Sequence, residues 1–223
     1  MRKLFIAFLV AATLLFGACA SQQPAPTATP QPSGVPEQAA TPSAQAQQQP
    51  AQPASTIEET VKPLLGQAAT RVKSLVYKYK GPETQNQVYD FYVKGTKMAY
   101  YNTDKNEYGD PDAYNVIYLD TAAKTAASYC THQTCVPKGK RSDLTYSAVS
   151  IATPLDWVSG ITSAKKVGEE QIERRSTIIV DTNKGKMWIE TYYGVPMQVE
   201  KDGTLYQYQQ MAFNSVTDAQ VTP

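Results

Sequence analysis

Three cysteines and a single histidine are the side chains best suited to covalent or metal chemistry here, and they divide by position. Cys19 ends the run Leu15-Phe16-Gly17-Ala18-Cys19, which reads as a lipobox. Arg2 and Lys3 supply a positive n-region and Leu4 to Phe16 an apolar h-region, while the small pair Gly17-Ala18 lets a peptidase reach the backbone before the cysteine. The thiol of such a cysteine takes a diacylglyceryl group and becomes the mature N-terminus, so acyl chains would hold an exported protein to a membrane. Phe16 stands where lipoboxes usually carry Leu. An ordinary signal peptide with an incidental cysteine, or an uncleaved anchor, is the alternative.

The other two cysteines form Cys130-Thr-His-Gln-Thr-Cys135. An exported chain meets oxidising conditions, and the pair is expected to close a small disulfide loop. His132 between two thiols raises a zinc site as the alternative, but zinc takes four ligands and the chain has no further Cys or His once Cys19 is lipidated. A redox-active pair fits less well, because four residues rather than two separate the thiols and no helix signal follows.

Enzymatic chemistry finds little footing. A serine or cysteine hydrolase needs a base for its nucleophile, yet the sole imidazole lies in the disulfide loop and no Gly-x-Ser-x-Gly elbow occurs. The acidic stretch Asp104 to Asp112 has no glutamate to close a calcium loop at its twelfth position, and reads as a solvated hairpin tip. Glu169-Glu170 and Arg174-Arg175 read as exposed charge around a strand start. With a net charge of +1 and the two signs interspersed, no basic stripe invites nucleic acid. The expectation is a protein that is not an enzyme, with no catalytic residue, cofactor or metal.

The elements that must carry these residues fall into four stretches. Residues 1–18 read as a signal peptide, and 19–55 as the lipidated cysteine followed by a disordered tether of Gln, Pro, Ala, Thr and Ser, whose only charge is Glu37. A flexible coil of about 35 residues spans roughly 30–35 Å, so the tether would let the folded part sample a shell above the membrane. Residues 56–217 have the length of one β domain, and 218–223 read as a polar tail.

Within the domain, Thr56-Ile-Glu-Glu59 reads as a capping box. Apolar residues then recur at helical spacing through Ile57, Val61, Leu64, Leu65, Ala68, Ala69, Val72 and Leu75, with Pro63 dividing or kinking the helix. Beyond Ser74 the period changes to two. Strands are expected at 76–80, 87–94, 97–101, 115–120 and 124–129, then at 176–181, 186–192, 196–201 and 204–211, joined by turns such as Gly95-Thr96 and Asp202-Gly203. Between the two sets lie a weak helical signal at 142–151 and a firmer one at Thr153-Pro-Leu-Asp156, with an N-cap threonine, a first-position proline and an acid in the first turn. Sequential antiparallel strands with short turns point to one curved sheet or an open barrel, α+β in class, whose apolar concave face the helices would cover.

Tyr92-Val-Lys-Gly-Thr-Lys-Met98 resembles the strand, Gly turn, Lys-Met step of the LolA/LolB-like lipoprotein carriers. Lys186-Met-Trp-Ile-Glu-Thr-Tyr-Tyr-Gly-Val-Pro-Met-Gln-Val-Glu200 resembles their C-terminal hairpin, and the order of elements is similar over most of 56–217. These motifs carry no catalytic or ligand residue. The resemblance implies an incomplete antiparallel barrel closed by helices over an apolar cavity, in proteins that carry acyl chains or sense partners. The Cys130/Cys135 loop and the long tether depart from the pattern.

Taken together, the expected protein is a lipid-anchored extracytoplasmic lipoprotein, at a cell surface or in a periplasm, that binds an acyl chain of a lipid or lipoprotein, or another apolar ligand, in its concave face. Alternation nominates Val76, Phe91, Met98, Ile117, Leu119, Ile179, Trp188, Met197 and Met211 as cavity wall. Trp188 alone would more often be core packing, and the fifteen tyrosines, which also invite a carbohydrate platform, mostly fall where strands favour Tyr. The alternative function is a non-enzymatic envelope sensor or interaction module that uses the sheet face.

Overall fold

Alternating aromatic and β-branched residues build twelve strands that hydrogen-bond into one sheet in the computed structural model, which describes residues 56–102 and 113–223. The expected signal peptide, the lipobox at Cys19, the tether and the acidic stretch before Ala113 lie outside the described residues.

A two-residue strand β1 (Thr56–Ile57) and helix α1 (Lys62–Arg71) come first. A meander follows, made of β2 (Ser74–Lys80), β3 (Tyr89–Lys94), β4 (Lys97–Tyr101), β5 (Val116–Asp120), β6 (Thr125–Cys130) and β7 (Gly139–Leu144). Short helices α2 (Tyr146–Val149) and α3 (Pro154–Val158) lead to a second meander. Its strands are β8 (Ser163–Ile172), β9 (Arg175–Thr182), β10 (Gly185–Glu190), β11 (Pro196–Lys201) and β12 (Thr204–Phe213). The strand order β1-β8-β9-β10-β11-β12-β2-β3-β4-β5-β6-β7 shows that the β12–β2 pairing fuses the two meanders, with β1 and β7 left at the edges. Among the described residues only β1–β8 is parallel. The result is the α+β class expected: an open, curved, antiparallel sheet with a helical cover.

The N-terminus differs from expectation. Thr56 is not a helix cap. Its backbone N–H donates to the Thr162 carbonyl at 3.0 Å, and the Glu58 carboxylate accepts from the Lys166 N–H at 2.9 Å, so the capping-box residues tie the chain to β8. The helix starts later, with Pro63 in its first turn, where a missing N–H costs nothing. Strands β7 and β8 do not follow from alternation, because Lys140, Arg141, Ser142 and Asp143 in one and Lys165, Lys166, Glu169, Glu170 and Gln171 in the other are polar on both faces. Such residues suit strands at or next to a sheet edge, where charge discourages pairing with other chains.

The tight turns obey their residues. Asp202 and Gly203 both have positive φ, +51° and +75°, as a two-residue hairpin turn requires. Gly194, in the Gly-Val-Pro turn, does more than reverse the chain. At φ +69° a Cβ would lie 2.2 Å from the Leu64 carbonyl oxygen, so the missing side chain is what lets α1 sit against this turn. Arg71 completes the dock, donating to the Tyr192 carbonyl at 2.6 Å and stacking 4.5 Å from the Tyr192 ring centroid. The Cys130 and Cys135 sulfurs are bonded to each other, beside the β6–β7 pairing of Cys130 with Gly139.

Candidate functional site

The inner face of the sheet holds the core. Tyr77, Tyr79, Phe91, Tyr208, Leu75, Met98, Met187, Ile189 and Met197 are among its fully buried side chains, joined by Val61 just before α1, by Leu64 and Ala68 of α1 and by Trp157 of α3. Aromatic rings occupy the middle: Tyr77 stacks on Phe91 at 5.2 Å and Phe91 on Tyr100 at 4.9 Å between centroids. The Tyr77 hydroxyl is buried with no hydrogen-bond partner among the described residues.

Across this face runs a strap formed by α2, the Ser150 to Thr153 connection and α3. Its attachment to the floor is polar. Tyr100 donates its hydroxyl to the Val149 carbonyl at 3.1 Å, and Tyr208 donates to the Ala152 carbonyl at 3.1 Å while accepting from Trp157 Nε1 at 2.5 Å. Burial pushes the hydroxyls of Tyr100 and Tyr208 well above the ordinary phenol value of 10.0, so both remain protonated donors at neutral pH. Thr153 and Asp156 form the reciprocal cap of α3, with the Asp156 carboxylate accepting from the Thr153 N–H at 2.8 Å. Lys184 ties the far side through the Asp156 carbonyl at 3.0 Å. At the near side Lys124 Nζ lies 4.9 Å from the centre of the Tyr146 ring.

Space remains beside the strap. One cleft, about 350 Å³, is lined by Glu83, Tyr89, Tyr100, Tyr114, Ile117 and Val149 among others. A second, about 470 Å³, is lined by Glu83, Met98, Lys124, Tyr146, Ile151 and Thr153 among others. The second runs the length of the inner face, because Glu83 follows the end of β2 while Thr121 and Lys124 form the β5–β6 turn at the opposite end. Glu83 accepts a hydrogen bond from the Tyr79 hydroxyl at one end, and Lys124 stands at the other.

The nominated wall residues separate into three groups. Met98 and Ile117 line the clefts. Phe91, Leu119, Met197 and Met211 are buried in the core cluster or its inner row, where they are packed rather than open to a ligand. Val76, Ile179 and Trp188 are corrected to the outer face. Their inward-pointing neighbours are Leu75 and Tyr77, Val180, and Met187 and Ile189, so the alternation holds but its phase is shifted by one residue. Trp188 Nε1 donates instead to the exposed Glu170 carboxylate at 2.8 Å, while Ile179 packs over Gly168. Alternation does not reach Glu83, Lys124, Tyr146 and Val149, which lie in turns and the strap. The one hint is the Tyr-rich strands, whose hydroxyls need acceptors once buried.

His132 is exposed in the disulfide loop, with Nδ1 3.0 Å from the Thr134 hydroxyl. Among the described residues no group of three or more His, Cys, Asp or Glu side chains gathers as a metal site would require, and no helix is long and apolar enough to cross a membrane.

No protein-family model matches the chain, and no curated protein matches it. Solved structures are similar in fold. MucB matches over 74% of this chain at 10% identity with a TM-score of 0.42, the match spanning 63% of MucB's own length. An uncharacterized conserved protein from Thermus thermophilus matches over 74% of this chain and 95% of its own, at 8% identity and a TM-score of 0.44. A LolA superfamily protein from Nitrosomonas europaea matches over 73% of this chain and 97% of its own, at 10% identity and a TM-score of 0.28.

Proposed function

We propose that this protein is a membrane-tethered, extracytoplasmic binding module that takes an apolar ligand, such as an acyl chain, against its inner sheet face beneath the strap. The observation that carries the reading is the manner of the strap's attachment. The strap packs Ile151 and Trp157 into the core, but it is also held by tyrosine hydroxyls reaching backbone carbonyls and is flanked by two clefts. Each such neutral hydrogen bond contributes about 0.5–1.5 kcal/mol net and a buried apolar side chain such as Ile151 about 1.5–3 kcal/mol, and a ligand that displaces the strap must offset both. Burying an alkyl chain returns roughly 0.8 kcal/mol per methylene.

The middle of the bowl is filled by Tyr77, Tyr79, Phe91 and Tyr208, so the ligand would extend the existing clefts by displacing the strap rather than enter a ready cavity. The Cys130–Cys135 disulfide supports an oxidising compartment, and the lipobox at Cys19 supplies the anchor in this reading.

Native mass spectrometry of the full chain mixed with a fatty acid tests the ligand-binding reading. One acyl-chain adduct per protein is expected, and a chain that stays unliganded at saturating fatty acid overturns it.

A further inference from the structure

The long cleft has opposite charges at its two ends, and one of them is held in an unusual way. Glu83 at the β2 end is occupied by the Tyr79 hydroxyl. Lys124 at the other end makes no ion pair among the described residues, in contrast to its neighbour Lys97, which binds Asp120 at 2.6 Å. What faces the Lys124 ammonium is the ring of Tyr146, a residue of the strap. The β5–β6 turn holds Lys124 at φ +55°, a left-handed conformation that side chains other than Gly seldom adopt. The side chain sets a cation at the mouth of the cleft, against the cover.

We infer that the ligand is an amphiphile with an anionic head, of the carboxylate class, and that Lys124 receives that head while the alkyl chain lies along the inner face past Met98 and Ile151. This rests on the proposed binding under the strap. A charge-assisted contact to a carboxylate is stronger than the exposed cation–π contact it replaces. Head-group binding then draws Lys124 from Tyr146 and loosens the near end of the strap, coupling recognition of charge to opening. The opposite orientation is disfavoured, because it would set one anion beside the Glu83 carboxylate.

Full-length protein titrated with dodecanoate and with dodecanol, both below micelle formation and above the carboxyl pKa, separates the two claims. The fluorescence of Trp157, whose indole binds Tyr208 beside the cleft, is the readout, in a Trp188→Phe background that removes the other tryptophan. Dodecanoate is expected to bind about tenfold more tightly than dodecanol, the order expected for one charge-assisted contact. Lys124→Met should abolish that preference, Lys124→Arg should restore it, and the preference should fall with added salt. Equal binding of the two ligands, or a preference that survives Lys124→Met, overturns the head-group assignment and leaves the apolar site standing. Failure of both ligands to bind overturns the site and the assignment together.

Discussion

At the scale of single residues, the two tyrosines that hold the strap are not equivalent. Tyr100 makes one bond, to Val149, so Tyr100→Phe removes a donor and leaves one partly solvated carbonyl. Tyr208 is both donor to Ala152 and acceptor from Trp157, and Tyr208→Phe strands two partners, one of them a buried indole N–H. Urea unfolding should show a loss of about 0.5–1.5 kcal/mol for Tyr100→Phe and about 1–3 kcal/mol for Tyr208→Phe. Equal losses would mean that the Trp157 contact contributes nothing. None of these contacts is legible in the sequence. Tyr100 and Val149 are 49 residues apart and Tyr208 and Ala152 are 56 apart, and no local pattern records which hydroxyl meets which carbonyl.

At the scale of elements, α1 depends on a residue outside itself. Gly194→Ala would force a side chain onto a left-handed backbone and into the Leu64 carbonyl, with an expected loss of roughly 2–3 kcal/mol by urea denaturation. A near-neutral result would show that α1 does not need this close approach. Most strands are legible because Tyr, Val and Ile alternate between short turns, as in β4 and β11, whose bounds match the expected ones. The errors have physical causes. The Thr56-Ile-Glu-Glu59 pattern satisfies a capping box locally, but tertiary pairing with β8 claims it. Val76, Ile179 and Trp188 share their alternating sets with Lys78 and Lys80, with Asp181 and with Lys186, so it is these charges that mark the outer face, and one large apolar residue among them does not make its set the inner one.

At the scale of the whole molecule, the proposed function joins a binding head, the open sheet with its hydrogen-bonded cover, to the anchor and spacer expected from the sequence around and after Cys19. The anchor is tested separately from the head. Labelled palmitate should enter the wild-type chain and not Cys19→Ser. Incorporation that persists in the variant would place the lipid elsewhere. The head's central claim is that an apolar ligand lies between the inner sheet face and the strap. A photoreactive fatty acid, cross-linked to the full chain and mapped by peptide mass spectrometry, tests this most directly. Adducts are expected on Met98, Tyr100, Ile117, Tyr146 and Ile151, whereas adducts confined to the outer face around Trp188 and Tyr118 would contradict the account.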